Sequence, residues 1–293
     1  MSYAIDIQVQ PEVKPFFDPQ THTFSYVVKD PFSKACAVID SVLDLDYAAG
    51  RTATHHADTI ATYIEQQQLS VDWIIETHVH ADHLSAAPYL KARLGGKTGI
   101  GHRITQVQHT FADVFNEDEY FARDGRQFDH LFADGETYYV GDMACLALST
   151  PGHTPACMAH VMGNAAFVGD TLFMPDAGSA RADFPGGDAG ELYDSIQKIL
   201  DLPDEMRLFM CHDYAPGDRD FCYETTVAEE KRSNIHVGQG QTRASFIAMR
   251  EARDATLGMP QLILPALQVN MRAGAMPTDA SGRTMLKIPL NRL

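Results

Sequence analysis

The chain has 293 residues, 45% of them apolar and 21% charged, enough for one large core, and a formal net charge of −16. That charge repels phosphate backbones, and no Lys/Arg run offsets it, which argues against a nucleic-acid partner. No stretch approaches the ~18 apolar residues of a membrane crossing, and Met1–Asp6 carries no signal or transit pattern, so no membrane partner and a cytoplasmic location are expected.

In chain order, Ala4–Val9, Phe24–Val28 and Ala35–Ile39 read as short strands of an opening antiparallel sheet, bounded by Pro11, Pro15, Asp30 and Pro31. His55–Gln68 reads as a helix with Ile60, Tyr63 and Ile64 near helical spacing, and Val71–Glu76 as the strand that delivers the next loop. Leu84–Leu94 is expected as a helix stopped by Gly95-Gly96. From Gly99 to Asp134 the periodicity is poor, and aromatics such as Phe111, Tyr120 and Phe128 lie among acids; a helix and a cleft-flanking connection are expected. Tyr138–Val140, Ala144–Ser149, Met158–Met162 and Ala165–Val168 form a second run of strands, with turns at Gly141-Asp142 and Gly163-Asn164. Glu191–Leu200 then reads as a helix, Arg207–Met210 as a strand, and Thr225–His236 and Thr242–Leu257 as helices. The tail from Pro260 to Leu293 holds Pro260, Pro265, Pro277 and Pro289 and is expected to pack as irregular structure. The organisation expected is one domain over residues 1–293, with a core of about 20–240 and a C-terminal extension of about 241–293.

The chemistry concentrates in Thr77-His78-Val79-His80-Ala81-Asp82-His83, directly after the apolar Val71–Ile75. A strand that ends in a tight loop can aim His78, His80, Asp82 and His83 at one spot, whereas a helical metal site needs a spacing of four. Pro151-Gly152-His153-Thr154, Gly169-Asp170-Thr171 and Cys211-His212-Asp213-Tyr214 each follow an apolar run in the same way. Cys36, Cys145, Cys157, Cys211 and Cys222 form no C-x-x-C pair, which points to a reduced compartment.

The order and spacing of these motifs resemble the metallo-β-lactamase superfamily, which implies a four-layer αββα sandwich of the α/β (α+β) class with metal at one sheet edge. By that resemblance His78, His80, Asp82, His83, His153, Asp170 and His212 form the ligand set. Two occupancies follow. Two zinc ions would use all seven, with Asp170 bridging. A single Fe(II) per chain would use His78, His153 and Asp170, leaving three coordination positions open, with His80, Asp82, His83 and His212 in supporting roles.

The segment Leu172–Gly187 and the tail pieces Leu267–Arg272 and Ile288–Asn291 resemble the persulfide dioxygenases, also called sulfur dioxygenases, and their β-lactamase-like hydrolase relatives. The implied activity is oxidation of glutathione persulfide by O₂ to sulfite and glutathione, with His78, His153, Asp170 and Tyr214 catalytic. The alternative is a dizinc thioesterase of the glyoxalase II type; a non-catalytic, cysteine-based sensor fits poorly because the cysteines are scattered. Arg181 is either an anchor for a glutathione carboxylate or a structural partner of Asp183, and Tyr214 either a donor to substrate or a packing residue. Family habit adds a homodimer.

Overall fold

The computed structural model describes residues 5–279 and 281–292. Its first strand is β1 (Glu12–Asp18), followed by β2 (Thr23–Lys29) and β3 (Ala35–Ile39) in an antiparallel ladder. The expected strand Ala4–Val9 is not formed: Ala4 lies outside the described residues, and residues 5–9 turn at Asp6, where the Val9 amide donates to the Asp6 carbonyl at 3.1 Å. The alternation that suggested it is real, since Ile5, Ile7 and Val9 all pack on core clusters, but the segment pairs with no strand. Pro15 is tolerated in β1 because β1 is the sheet edge and needs no ladder donor there.

Next come β4 (Val42–Asp46), β5 (Arg51–Ala53), α1 (His55–Gln66) and β6 (Ser70–Ile75). Leu84–Ser85, expected as the start of a helix, is a two-residue strand, β7, paired with β4. The helix α2 (Ala87–Leu94) begins only at Ala87, with Pro88 in its first turn, where a missing N–H costs nothing. Beyond Gly95 and Gly96 lies β8 (Lys97–Gly101), a strand the sequence reading missed. Gly99 explains why it can be central: a Cβ there would lie 2.5 Å from the Phe132 ring. With α3 (Ile104–Val114) and β9 (His130–Phe132), this half closes as a six-stranded sheet of order β1-β2-β3-β6-β8-β9. Within residues 99–134, Phe111 and Phe115 pack with Phe184 and with Leu267 and Met271 of the tail.

The second sheet comprises β10 (Glu136–Val140), β11 (Met143–Ser149), β12 (Met158–Met162), β13 (Ala165–Phe167), β14 (Arg207–Phe209) and β15 (Glu224–Thr226). Of the Gly163-Asn164 turn only Gly163 takes positive φ, +57°. The helices are α4 (Ala189–Leu200), capped by the Asp188 carboxylate, α5 (Val227–Ser233), α6 (Arg243–Asp254) and α7 (Ile263–Asn270). Two expectations give way here. The helix over Thr225–His236 shortens to α5 because Glu224–Thr226 pairs with β14, and the tail is not wholly irregular, since Pro265 sits in the first turn of α7.

Strand alternation builds the layers. Phe24, Tyr26 and Val28 of β2 meet Tyr138, Cys145 and Phe167 of the facing sheet, while Val27 turns outward onto Ile60 and Leu90 of α1 and α2. The outward residues Leu148, Val161 and Val168 meet Leu192, Ile196 and Phe246 of α4 and α6. The result is the expected αββα sandwich. Among the described residues no helix is long and apolar enough to cross a membrane.

On α5, Glu230 is fully buried, with the Asn234 amide donating to Oε2 at 2.6 Å and Oε1 unpaired. Burial pushes its carboxyl from 4.5 up to about 8, with the Glu229 and Asp176 charges adding and the Asn234 bond opposing. The folded state therefore keeps a proton that the unfolded chain releases, so stability falls as pH rises from about 5 to 8, by about 1.4 kcal/mol per unit of pKa difference. Glu230→Gln is expected to flatten that decline in urea unfolding followed across the window; an unchanged slope would reject the assignment.

Candidate metal centre

Strands β3, β6, β11, β13 and β14 all end at one edge of the sandwich, and the loops that follow carry the polar residues. β6 runs parallel between β3 and β8, so the loop beyond Ile75 emerges at the middle of its sheet. Asp40, just past β3, anchors that loop. Its carboxylate accepts the Thr77 amide at 2.7 Å, the Thr77 hydroxyl at 2.8 Å and His80 Nε2 at 2.9 Å. Gly169 lets the β13 loop approach the same point, for a Cβ there would sit 2.7 Å from Thr77 Oγ1 and φ is +51°.

All seven residues named from the motifs converge. His78 Nε2 and His153 Nε2 lie 3.9 and 3.7 Å from Asp170 Oδ2, and one donor atom from each of the three falls within 4.8 Å of the others. A second group joins His80, His83, His212 and Cys211 within the same limit. His212 Nε2 lies 3.1 Å from Asp82 Oδ2 and 3.4 Å from Asp170 Oδ1, so the two Asp170 oxygens face different groups.

These residues fit a metal. His78 Nε2, His80 Nδ1, His83 Nε2, His212 Nε2 and Asp170 Oδ1 are buried with no hydrogen-bond partner, a costly arrangement that a cation resolves. Burial, reinforced by the surrounding imidazoles, holds His78 well below the usual histidine range, and burial with His80 takes His83 down to about 3, so both present free lone pairs. At Asp82 burial raises and the His212 and His83 charges lower, the latter prevailing, which keeps the carboxylate ionised. Cys211 behaves differently: burial, with Asp40, Asp170 and Asp82 nearby, drives its thiol well up, so it is a weak ligand despite its place in the cluster.

The far nitrogen of each imidazole is held. His78 Nδ1 donates to Thr77 Oγ1 at 3.0 Å, His153 Nδ1 to the Arg181 carbonyl at 2.8 Å, and His83 and His212 Nδ1 to the Leu84 and His22 carbonyls at 3.3 Å each. Burial works against an imidazolium at His80, but Asp40 and Glu76 outweigh it and hold its pKa well up, so a metal at its Nδ1 would displace a proton. From α7, the Asn270 amide donates to the His80 and His83 carbonyls at 2.9 and 2.7 Å. Asp40, Glu76 and Asn270 were missed as site residues. The sequence signal for Asp40 existed, an acid directly after an apolar strand as at Asp170; Asn270 lies in the tail piece Leu267–Arg272 that carries the resemblance, but nothing local tied it to the metal loop.

A cavity of about 430 Å³ opens over His153 and Asp170, walled by Phe173, Tyr214, Ile235 and Leu257. A second, of about 590 Å³, lies beyond Arg181 and Tyr214 against His83. Arg181 borders both, yet its guanidinium is bound bidentately by Asp183 and donates to the Gly258 carbonyl at 2.6 Å. Tyr214 is 52% exposed and stacks on His212 at 15° between ring planes. Although half of the side chain is exposed, the protein packed around it, then the Asp82 and Asp170 charges, raises its pKa, so the phenol stays protonated.

Loops from two facing sheets that gather histidines and acids at one edge of an αββα sandwich define an enzyme fold with candidate metal-binding groups in its cleft. The chain belongs to the metallo-β-lactamase superfamily, which residues 18–212 match. It is 53% identical to a probable metallo-hydrolase of Burkholderia pseudomallei, covering 96% of this chain and 99% of that one. To Glyoxylase B2 of Dictyostelium discoideum it is 46% identical over 100% and 99%, and to persulfide dioxygenase ETHE1 of Mus musculus 29% identical over 89% and 88%. Several β-lactamase hydrolase-like proteins are longer, and the chain spans 65% of their length. Among solved structures, ETHE1 from Myxococcus xanthus superposes with a TM-score of 0.71 at 28% identity, covering 90% of this chain and 100% of that one.

Proposed function

We propose that the protein is a glutathione-dependent persulfide dioxygenase with one Fe(II) per chain held by His78, His153 and Asp170. The observation that carries this is the grouping of one carboxylate with two imidazoles, each imidazole oriented from behind, next to the 430 Å³ cavity. A facial set of this kind leaves positions for O₂ and a soft sulfur ligand together. Glutathione persulfide, O₂ and water give glutathione and sulfite. Iron bound at the triad supplies oxygen activation. The chain's own residues do the rest: Thr77 and the Arg181 carbonyl fix the two imidazoles, Phe173 and Leu257 keep water from the sulfur, and Tyr214 offers a hydrogen bond from its protonated phenol. The likeness to ETHE1 supports this reading. The whole chain, 1–293, acts as one unit in it, because α7 grips the metal loop through Asn270, and the five cysteines, none in a disulfide, suit a reducing cytoplasm.

One observation favours a second reading. The two Asp170 oxygens face the two donor groups, as a bridging carboxylate would, which suits two zinc ions and hydrolysis of a glutathione thioester; the 46% identity to Glyoxylase B2 points the same way. Oxygen-electrode assays with glutathione persulfide, set against anaerobic cleavage of S-lactoylglutathione, separate the two. Oxygen uptake with little anaerobic cleavage is expected; the reverse pattern would replace the dioxygenase with the hydrolase.

A further inference from the structure

We propose that the buried Arg250–Asp254 pair of α6, together with His236, positions the metal-facing imidazole of His153 through the backbone of residues 178–182. This rests on His153 being a ligand, which both functional readings share.

The chain of contacts is continuous. His153 Nδ1 donates to the carbonyl of Arg181 at 2.8 Å, so the ring direction depends on where that carbonyl sits. The backbone around it is gripped on both sides. The Ala182 amide donates to Asp254 Oδ2 at 2.8 Å, the Ser179 carbonyl accepts from Arg250 at 3.2 Å, and the Ser179 amide donates to His236 Nδ1 at 2.9 Å. One residue earlier, the Gly178 carbonyl accepts from the Asn234 amide at 3.0 Å. Gly178 has φ of +88°, and a Cβ there would lie 2.2 Å from His236 Nδ1, so the strip and His236 are in the closest contact the backbone allows. Burial, with Arg250 and Arg253 nearby, lowers the His236 pKa to about 4, which leaves Nδ1 free to accept.

The energetics ask for such a role. Arg250 and Asp254 are 1% and 5% exposed, and Asp254 is an acid at a helix C-terminus, where the helix dipole disfavours it. A buried ion pair is often no better for stability than apolar residues of similar size, so its presence is explained by the direction it imposes rather than by net stabilisation. What it imposes on is the strip that orients a ligand and walls the cavity with Ser179, Ala180 and Arg181. Groups behind a metal ligand fix its ring, and their loss costs affinity.

The test measures zinc affinity by chelator competition and the absorption of the cobalt(II)-loaded protein. His236→Leu, and the double variant Arg250→Met with Asp254→Leu, are expected to fold, to bind zinc at least about tenfold more weakly and to shift the cobalt bands. His236→Asn, which keeps an acceptor near Nδ1, is expected to restore both. His153→Ala is the control on the ligand itself. If it loses its metal while folded His236→Leu matches the wild type in affinity and spectrum, the positioning role is overturned and the ligand assignment stands. If His153→Ala keeps its metal unchanged, the ligand assignment fails and the positioning role with it. Should the double variant not fold, His236→Leu and its Asn rescue decide alone.

Discussion

His153→Ala is expected to purify without iron and without measurable oxygen uptake, while Asp82→Ala keeps iron and loses about 10–100-fold in affinity or activity. The difference follows from position. His153 is one of three donors beside the cavity, with its far nitrogen already held by Arg181, so nothing near can replace it. Asp82 lines the same cavity but faces His212 at 3.1 Å and is not among the three donors grouped with His153. Elemental analysis of the wild type is expected to give iron near one per chain. Equal metal loss in the two variants, or two zinc per chain with full activity, would favour the dinuclear centre.

The second large effect is at Asp40, which no substrate reaches. Asp40→Ala is expected to destabilise the fold by about 3–5 kcal/mol in urea unfolding of the metal-free protein. Asp40 is 2% exposed, and its loss leaves the Thr77 amide, the Thr77 hydroxyl and His80 without their acceptor. At Asp40 burial raises the pKa, but His80 and the Thr77 bonds outweigh it and hold the carboxyl below its usual range. At Glu76, by contrast, burial prevails and raises it. Asp40→Asn, which keeps an acceptor for Thr77, is expected to lose less. A change below about 1 kcal/mol for Asp40→Ala would mean that the metal loop is held elsewhere, with Asn270 the remaining candidate.

The sequence by itself determined the fold and where the candidate ligands lie along the chain. A strand is legible when it is mostly apolar, and β6, β11, β13 and β14 all are; each loop's chemistry then follows at once, so His78, His153, Asp170 and His212 stood out as candidates that the family resemblance joined into one set. Local pattern misled at the edges of that rule. Ile5, Ile7 and Val9 alternate like a strand but find no partner, while β8 lacks an apolar run and is a strand only because two parallel neighbours claim its backbone. The tertiary structure alone decided which atoms face one another: that the Asp170 oxygens divide between two donor groups, that Asp183 claims the Arg181 guanidinium, and that Asn270 reaches back 190 residues to the His80 carbonyl. Those facts depend on hydrogen bonds between groups far apart in the chain, whose partners are fixed only once the sheets have packed. Residue type and spacing report the short-range part of that problem, and burial and direction make up the remainder.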